Sequence, residues 1–173
     1  AFLESVQEYY QKIYRATGAI AFDVYGITKS YPQRSSPPDV ERTFDNWAAF
    51  LGSTSSTQLQ MSKIPIRSGD QFFEFLSWQI VQPSLRLPLK SFAHVLSSSN
   101  EIVSGSDLQD VSPIGLLTGD YFAQKVQITL PLGLKPGEYR IETGWYNPDT
   151  SERLKLPNGD DRYVFDQIEV TAP

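Results

Sequence analysis

Residues 136–146 read Pro-Gly-Glu-Tyr-Arg-Ile-Glu-Thr-Gly-Trp-Tyr, and their pattern decides the fold. Pro136-Gly137 is a turn signal, with a residue of fixed φ followed by one that tolerates positive φ. In the run that follows, Tyr139, Ile141 and Thr143 alternate with Arg140, Glu142 and Gly144. A period of two describes a strand with one face buried and one face wet. The same grammar continues on both sides. Upstream, LTGD (117–120) turns into YFAQKVQITLPL (121–132). Downstream, NPDTSER (147–153) turns into RLKL, PNGDD (157–161) turns again, and RYVFDQIEV (162–170) closes the chain.

Further back, IRSGD (66–70) leads into QFFEFLSWQIV (71–81), and LPLKSFAHVL (87–96) is a strand with Leu89, Phe92 and Val95 as core candidates. SSSNE turns into the short EIVSG, STSST (53–57) is a polar break, and QLQMSKI (58–64) alternates imperfectly. TFDNWAAFLG (43–52) fits a strand or a helical turn. Eight or nine strands (roughly one turn signal per 8–12 residues) predict a mainly β fold, an antiparallel immunoglobulin-like β-sandwich. A parallel sheet would need crossover helices, and no helical period separates these runs.

The N-terminus has a different period. Leu3, Val6, Tyr10, Ile13 and Tyr14 recur at intervals of three and four, which predicts an N-terminal α-helix over about residues 3–16 with Gly18 past its end. Ile20, Phe22 and Val24 then alternate as in a strand, and SYPQRSSPPD (30–39) reads as a linker. The expected organisation is residues 1–42 as helix, strand and linker packing on a sandwich formed by residues 43–173.

Composition removes whole classes of chemistry. With no Cys among 173 residues, disulfide scaffolds, thiolate nucleophiles and Cys-ligated metal centres are excluded. Net charge is −5, and no basic run exists to track phosphates, so no nucleic-acid partner is expected. The acids concentrate toward the C-terminus: residues 100–173 hold twelve acids and six bases. No stretch of 18 consecutive apolar residues occurs, so no transmembrane segment is expected within the sequence. The chain begins at Ala1, and the expectation is that a localisation signal or tether lies upstream.

Candidate chemistry is sparse. His94, the single imidazole, lies in a strand and is read as structural, because no G-x-S-x-G or oxyanion motif accompanies it. One His also argues against a catalytic zinc site. Asn158-Gly159-Asp160-Asp161, with Asp149, could offer oxygens to Ca²⁺, but the ligand spacing of a calcium loop is absent and turn chemistry explains these residues equally. Phosphate-cradling glycine loops are absent too, so no cofactor is expected. Among the aromatics, Trp78 reads as core. Trp145, Tyr146 and Trp47 are the candidates for stacking on a sugar ring, and Trp145 and Tyr146, being consecutive in a strand, must face opposite ways. Gly137 is expected to need positive φ, and Gly144 to be overlain by the helix or a large ring.

Several motifs together resemble a known family. They are Trp78 ending a strand, then Phe92, His94 and Leu96, then Pro136, Gly137, Tyr139 and Arg140. Gly144, Tyr146, Pro148, Thr150, Arg153 and Leu154 complete the set. Residues 43–171 resemble the C-terminal β-sandwich of bacterial polytopic membrane glycosyltransferases of the dolichyl-phosphate-mannose–protein mannosyltransferase class. SSSNE stands where that pattern has an Asp-Gly turn. The resemblance implies an extracytoplasmic, membrane-associated domain that binds or positions a glycan or a membrane-protein partner, with catalysis performed elsewhere in the polypeptide. A stand-alone carbohydrate-binding module and a small hydrolase are the alternatives.

Overall fold

The computed structural model describes residues 10–16, 22–27, 38–56, 66–83, 88–108 and 116–171. The chain divides into two units, residues 1–32 and 33–173.

The first unit contains a hairpin in which β1 (Tyr10–Ala16) pairs antiparallel with β2 (Phe22–Ile27). Tyr10 lies opposite Ile27 and Ala16 opposite Phe22, with a register shift between Lys12 and Tyr14. The expected helix over residues 3–16 is therefore corrected: its second half is strand, and residues 3–9 lie outside the described residues. The intervals among Tyr10, Ile13 and Tyr14 fit a helix, but aromatic and β-branched side chains favour a pleated surface. The run from Phe22 supplies a partner strand after a short connection, and pairing overrides a weak helical preference.

The second unit is a two-sheet β-sandwich. Its strands are β3 (Thr43–Phe44), β4 (Ala48–Ser55), β5 (Ile66–Arg67), β6 (Gln71–Ile80), β7 (Lys90–Leu96), β8 (Ile102–Leu108), β9 (Tyr121–Thr129), β10 (Gly137–Tyr146) and β11 (Tyr163–Thr171). One sheet runs β5-β11-β10-β7-β8 and the other β3-β4-β6-β9. Pairing is antiparallel except for the two-residue contact of β5 with β11, which is parallel. Residues 43–52 resolve as a hairpin: Asp45 and Asn46 both take positive φ (45° and 56°), and the Trp47 N–H donates to the Phe44 carbonyl at 2.8 Å. Two consecutive residues with positive φ reverse the chain within the three residues between Phe44 and its partner Ala48. Leu59, Met61 and Ile64 of the imperfect strand lie outside the described residues.

The period-two reading is realised in the core. Phe72, Leu76, Trp78 and Ile80 of β6 and Phe122, Val126 and Ile128 of β9 are buried at alternating positions. Tyr139, Ile141 and Trp145 of β10 meet them from the other sheet. Trp145 packs edge-on against Trp47 (centroids 4.5 Å, 88°) and Trp78 (5.1 Å, 68°). Truncating a buried Trp costs about 3–5 kcal/mol, so these rings are principal supports of the sandwich. Ser91 crosses the gap between sheets by donating to the Gln124 side-chain oxygen at 2.9 Å.

Candidate functional site

The expected aromatic platform divides by strand alternation. Trp145 is 1% exposed and Trp47 2%, both in the core, so neither offers a stacking face. Tyr146 lies on the opposite face of β10 and is half-buried. Trp78 is fully buried, as its apolar strand indicated.

The outer face of the five-stranded sheet carries the polar side chains instead. In register across the sheet, Glu142 lies opposite His94 and Gly144 opposite Phe92 on β7, while His94 lies opposite Gly105 and Phe92 opposite Asp107 on β8. Alternation sends Glu142, His94, Asp107 and Tyr146 to one side. His94 Nδ1 is 3.4 Å from Glu142 Oε1, and its Nε2 is 3.3 Å from Asp107 Oδ1. The Tyr146 hydroxyl donates to Asp107 Oδ2 at 3.0 Å. His94 also stacks on Phe92 (4.5 Å, 19°), whose ring lies 4.4 Å from the Arg153 guanidinium.

The connection between β10 and β11, residues 147–162, folds back over this face. Arg162 reaches down to Glu142 Oε2 with Nη1 at 3.2 Å and binds Asp161 through Nε at 3.2 Å. Asp161 also pairs with Arg153 (3.6 Å) and Lys155 (3.7 Å). Glu142 is fully buried yet charged. Burial pushes its carboxyl upward, but His94 and Arg162 outweigh that and hold it below the usual carboxylate range. Burial alone would lower Arg162, and Glu142 and Asp161 raise it instead. Burial and the bond to Asp107 raise the Tyr146 phenol.

Gly144 is where the covering chain comes closest. A Cβ there would lie 2.7 Å from Phe92 Cζ and 3.0 Å from the Asp161 carbonyl oxygen. The large ring expected above Gly144 is thus Phe92. Gly137 has φ +149°, a positive value as expected, and no atom lies within 4 Å of its would-be side chain.

His94 is accordingly part of a charge network, and the polar partners of its ring are two carboxylates. The oxygens proposed for calcium do not converge: Asp161 is spent on three cations, and Asp160 accepts from the Asn158 amide at 2.8 Å. Among the described residues, no group of three or more His, Asp or Glu is arranged to hold a metal ion, and no helix is long and apolar enough to cross a membrane.

Two open depressions flank the covering chain. The smaller, about 450 Å³, lies among Asp45, Glu152, Arg153, Lys155 and Asp161. The larger, about 800 Å³, runs between the 3-10 turn Val40–Arg42 and the segment leading into β11, lined by Asp39, Arg42, Asn158, Asp160, Arg162 and Tyr163. Sequence reasoning missed this groove. Its walls lie more than 110 positions apart in sequence, and only the sheet order brings them together; the available signal is the polar, turn-forming 157–161.

No family model matches the chain, and no curated protein matches it either, so the glycosyltransferase resemblance rests on the motifs. Among solved structures, the chain is similar to the C-terminal domain of Wzt at 12% identity, over 79% of this chain and 87% of that one, with a TM-score of 0.49. It is also similar to a Niemann-Pick type C2 protein from Japanese carpenter ant at 8% identity, over 82% of this chain and 100% of that one, with a TM-score of 0.44.

Proposed function

We propose that the chain is a non-catalytic binding or positioning domain that works beside a membrane glycosyltransferase on the extracytoplasmic side. One observation carries the reading. Four ionisable groups at the centre of the outer face are committed to one another, with His94 between Asp107 and Glu142, and Glu142 in turn holding Arg162. A catalytic imidazole needs a hydroxyl or a water aligned for proton transfer, whereas this ring bridges carboxylates on the two strands that flank its own, Asp107 on β8 and Glu142 on β10. The motifs around Phe92, Tyr139 and Gly144 support the glycosyltransferase association. A stand-alone carbohydrate-binding module would share the binding chemistry. The two are told apart by whether the domain co-purifies with a membrane glycosyltransferase from its native host.

The test is to screen the purified chain on an array of glycans and, in parallel, to assay hydrolysis of the same glycans. Retention without turnover is the expected result. Turnover that His94→Gln abolishes would establish the small hydrolase and overturn this reading.

A further inference from the structure

The 800 Å³ groove has walls set before any ligand arrives. On one side Asp39 accepts from the Glu41 N–H at 3.0 Å and takes Arg42 Nε on its other oxygen at 3.2 Å. On the other side the Asp160 N–H donates to the Asn158 side-chain oxygen at 3.0 Å, while the Asn158 amide donates back to Asp160 Oδ2 at 2.8 Å. Arg162 is gripped from behind by the fully buried Glu142 and from the side by Asp161, yet its side chain remains 42% exposed. Fixed groups lose less freedom on binding than mobile ones, so such a site gains affinity through preorganisation.

The chemistry of the lining selects a ligand class. Each carboxylate has about four lone-pair sites, and the bonds named above occupy only part of that capacity at Asp39 and Asp160. The guanidinium donors stand beside these acceptors. Pro157 and the 43% exposed Val164 add apolar surface. A long polyanion is disfavoured, since Asp39, Glu41 and Asp160 outnumber Arg42 and Arg162. A purely apolar ligand would leave these polar groups desolvated without partners. A sugar ring meets both demands, because adjacent hydroxyls donate to a carboxylate and accept from a guanidinium while the C–H face packs on Pro157 and Val164. The volume falls within the range of about 300–1,000 Å³ usual for small-ligand sites, and the groove is open to the passage of a chain.

We propose that this groove binds a neutral sugar unit of a glycan chain, with Asp39 and Asp160 accepting from its hydroxyls and Arg162 donating to them. The proposal rests on the binding-domain reading and names its ligand class. Backbone amide NMR on the full chain, titrated with mannotriose, maltotriose and anionic trigalacturonate, tests it. A neutral trisaccharide is expected to shift amides within residues 39–42 and 156–164. Asp160→Asn and Arg162→Lys are each expected to weaken that binding about tenfold, the loss typical of one charge-assisted hydrogen bond, with spectral dispersion unchanged. Asp160 is exposed, so its variant serves even where the Arg162 variant disturbs Glu142.

Shifts that map around Tyr146 and Asp107 instead would sink the groove and leave the binding domain standing. So would silence from all three sugars combined with retention on the wider glycan array. Silence in both experiments removes both claims. Trigalacturonate binding as tightly as the neutral sugars refutes the assignment to a neutral ligand.

Discussion

Glu74 is the least expected residue in the molecule, and it yields the sharpest test of the fold. It stands on β6 between Phe72 and Leu76, inward-facing and fully buried, opposite Ser55 on β4. Burial pushes its carboxyl from the ordinary 4.5 up to about 7; the Ser55 hydroxyl pulls it part of the way back, and the nearby charge of Asp166 raises it further. Below about pH 4.5 the carboxyl is protonated in both folded and unfolded chains, and the group has no differential effect. Between pH 4.5 and 7 the unfolded chain releases its proton while the folded one keeps it, so stability falls as pH rises. Above pH 7 the loss is complete. The rise from 4.5 to about 7, at about 1.36 kcal/mol per tenfold change in protonation, sets that loss at about 3 kcal/mol.

Glu74→Gln keeps the shape and removes the titration. Its stability relative to wild type is expected to be near zero at pH 4 and to rise to about 3 kcal/mol in its favour at pH 8. For a unit of this size that corresponds to a melting temperature higher by roughly 6–12 °C. All three tryptophans lie in the sandwich core, so urea unfolding followed by tryptophan fluorescence at a series of pH values reads this unit directly. A difference that stays constant with pH, or that favours wild type at pH 8, would refute the burial argument.

The other predictions address the glycines and the charge network. Gly144→Val places side-chain atoms against Phe92 and the Asp161 carbonyl; because the backbone cannot yield as a side-chain tip can, a loss of about 1–3 kcal/mol is expected by thermal unfolding. Gly137→Ala meets no neighbour but forces an L-residue to φ +149°, and a cost of about 1–3 kcal/mol from backbone strain alone should appear in the same measurement. An unchanged melting temperature in either variant removes the corresponding argument. His94→Gln is expected to leave ligand binding intact while lowering stability by about 0.5–3 kcal/mol in urea titrations; loss of binding without loss of stability would move His94 into the site.

What the sequence made legible follows from the range of the forces involved. Alternation along β6, β9 and β10 is local, set by which face of a pleat is wet, and Trp78 and Ile141 could be placed inside from neighbouring residues alone. The N-terminal segment shows where local pattern misleads. Tyr10, Ile13 and Tyr14 satisfy a helical interval, yet the decision lay with the partner strand Phe22–Ile27, which a window over residues 3–16 does not contain. The same limit explains the site. Within its own strand His94 has only apolar or small flanks, and its chemistry comes from Asp107 and Glu142, which sit 13 and 48 positions away and become neighbours only through sheet order. Trp47 and Trp145 looked like a binding platform because aromatic residues serve cores and sugar sites equally well. Their burial, with the two rings packed edge-on inside the closed sandwich, assigns them to the core, and the proposed recognition surface lies instead between the 39–42 turn and the 156–164 segment, which sequence alone does not bring together. A strand thus declares its buried face by itself, whereas a binding groove built from two turns on different strands exists only after the sheets have closed.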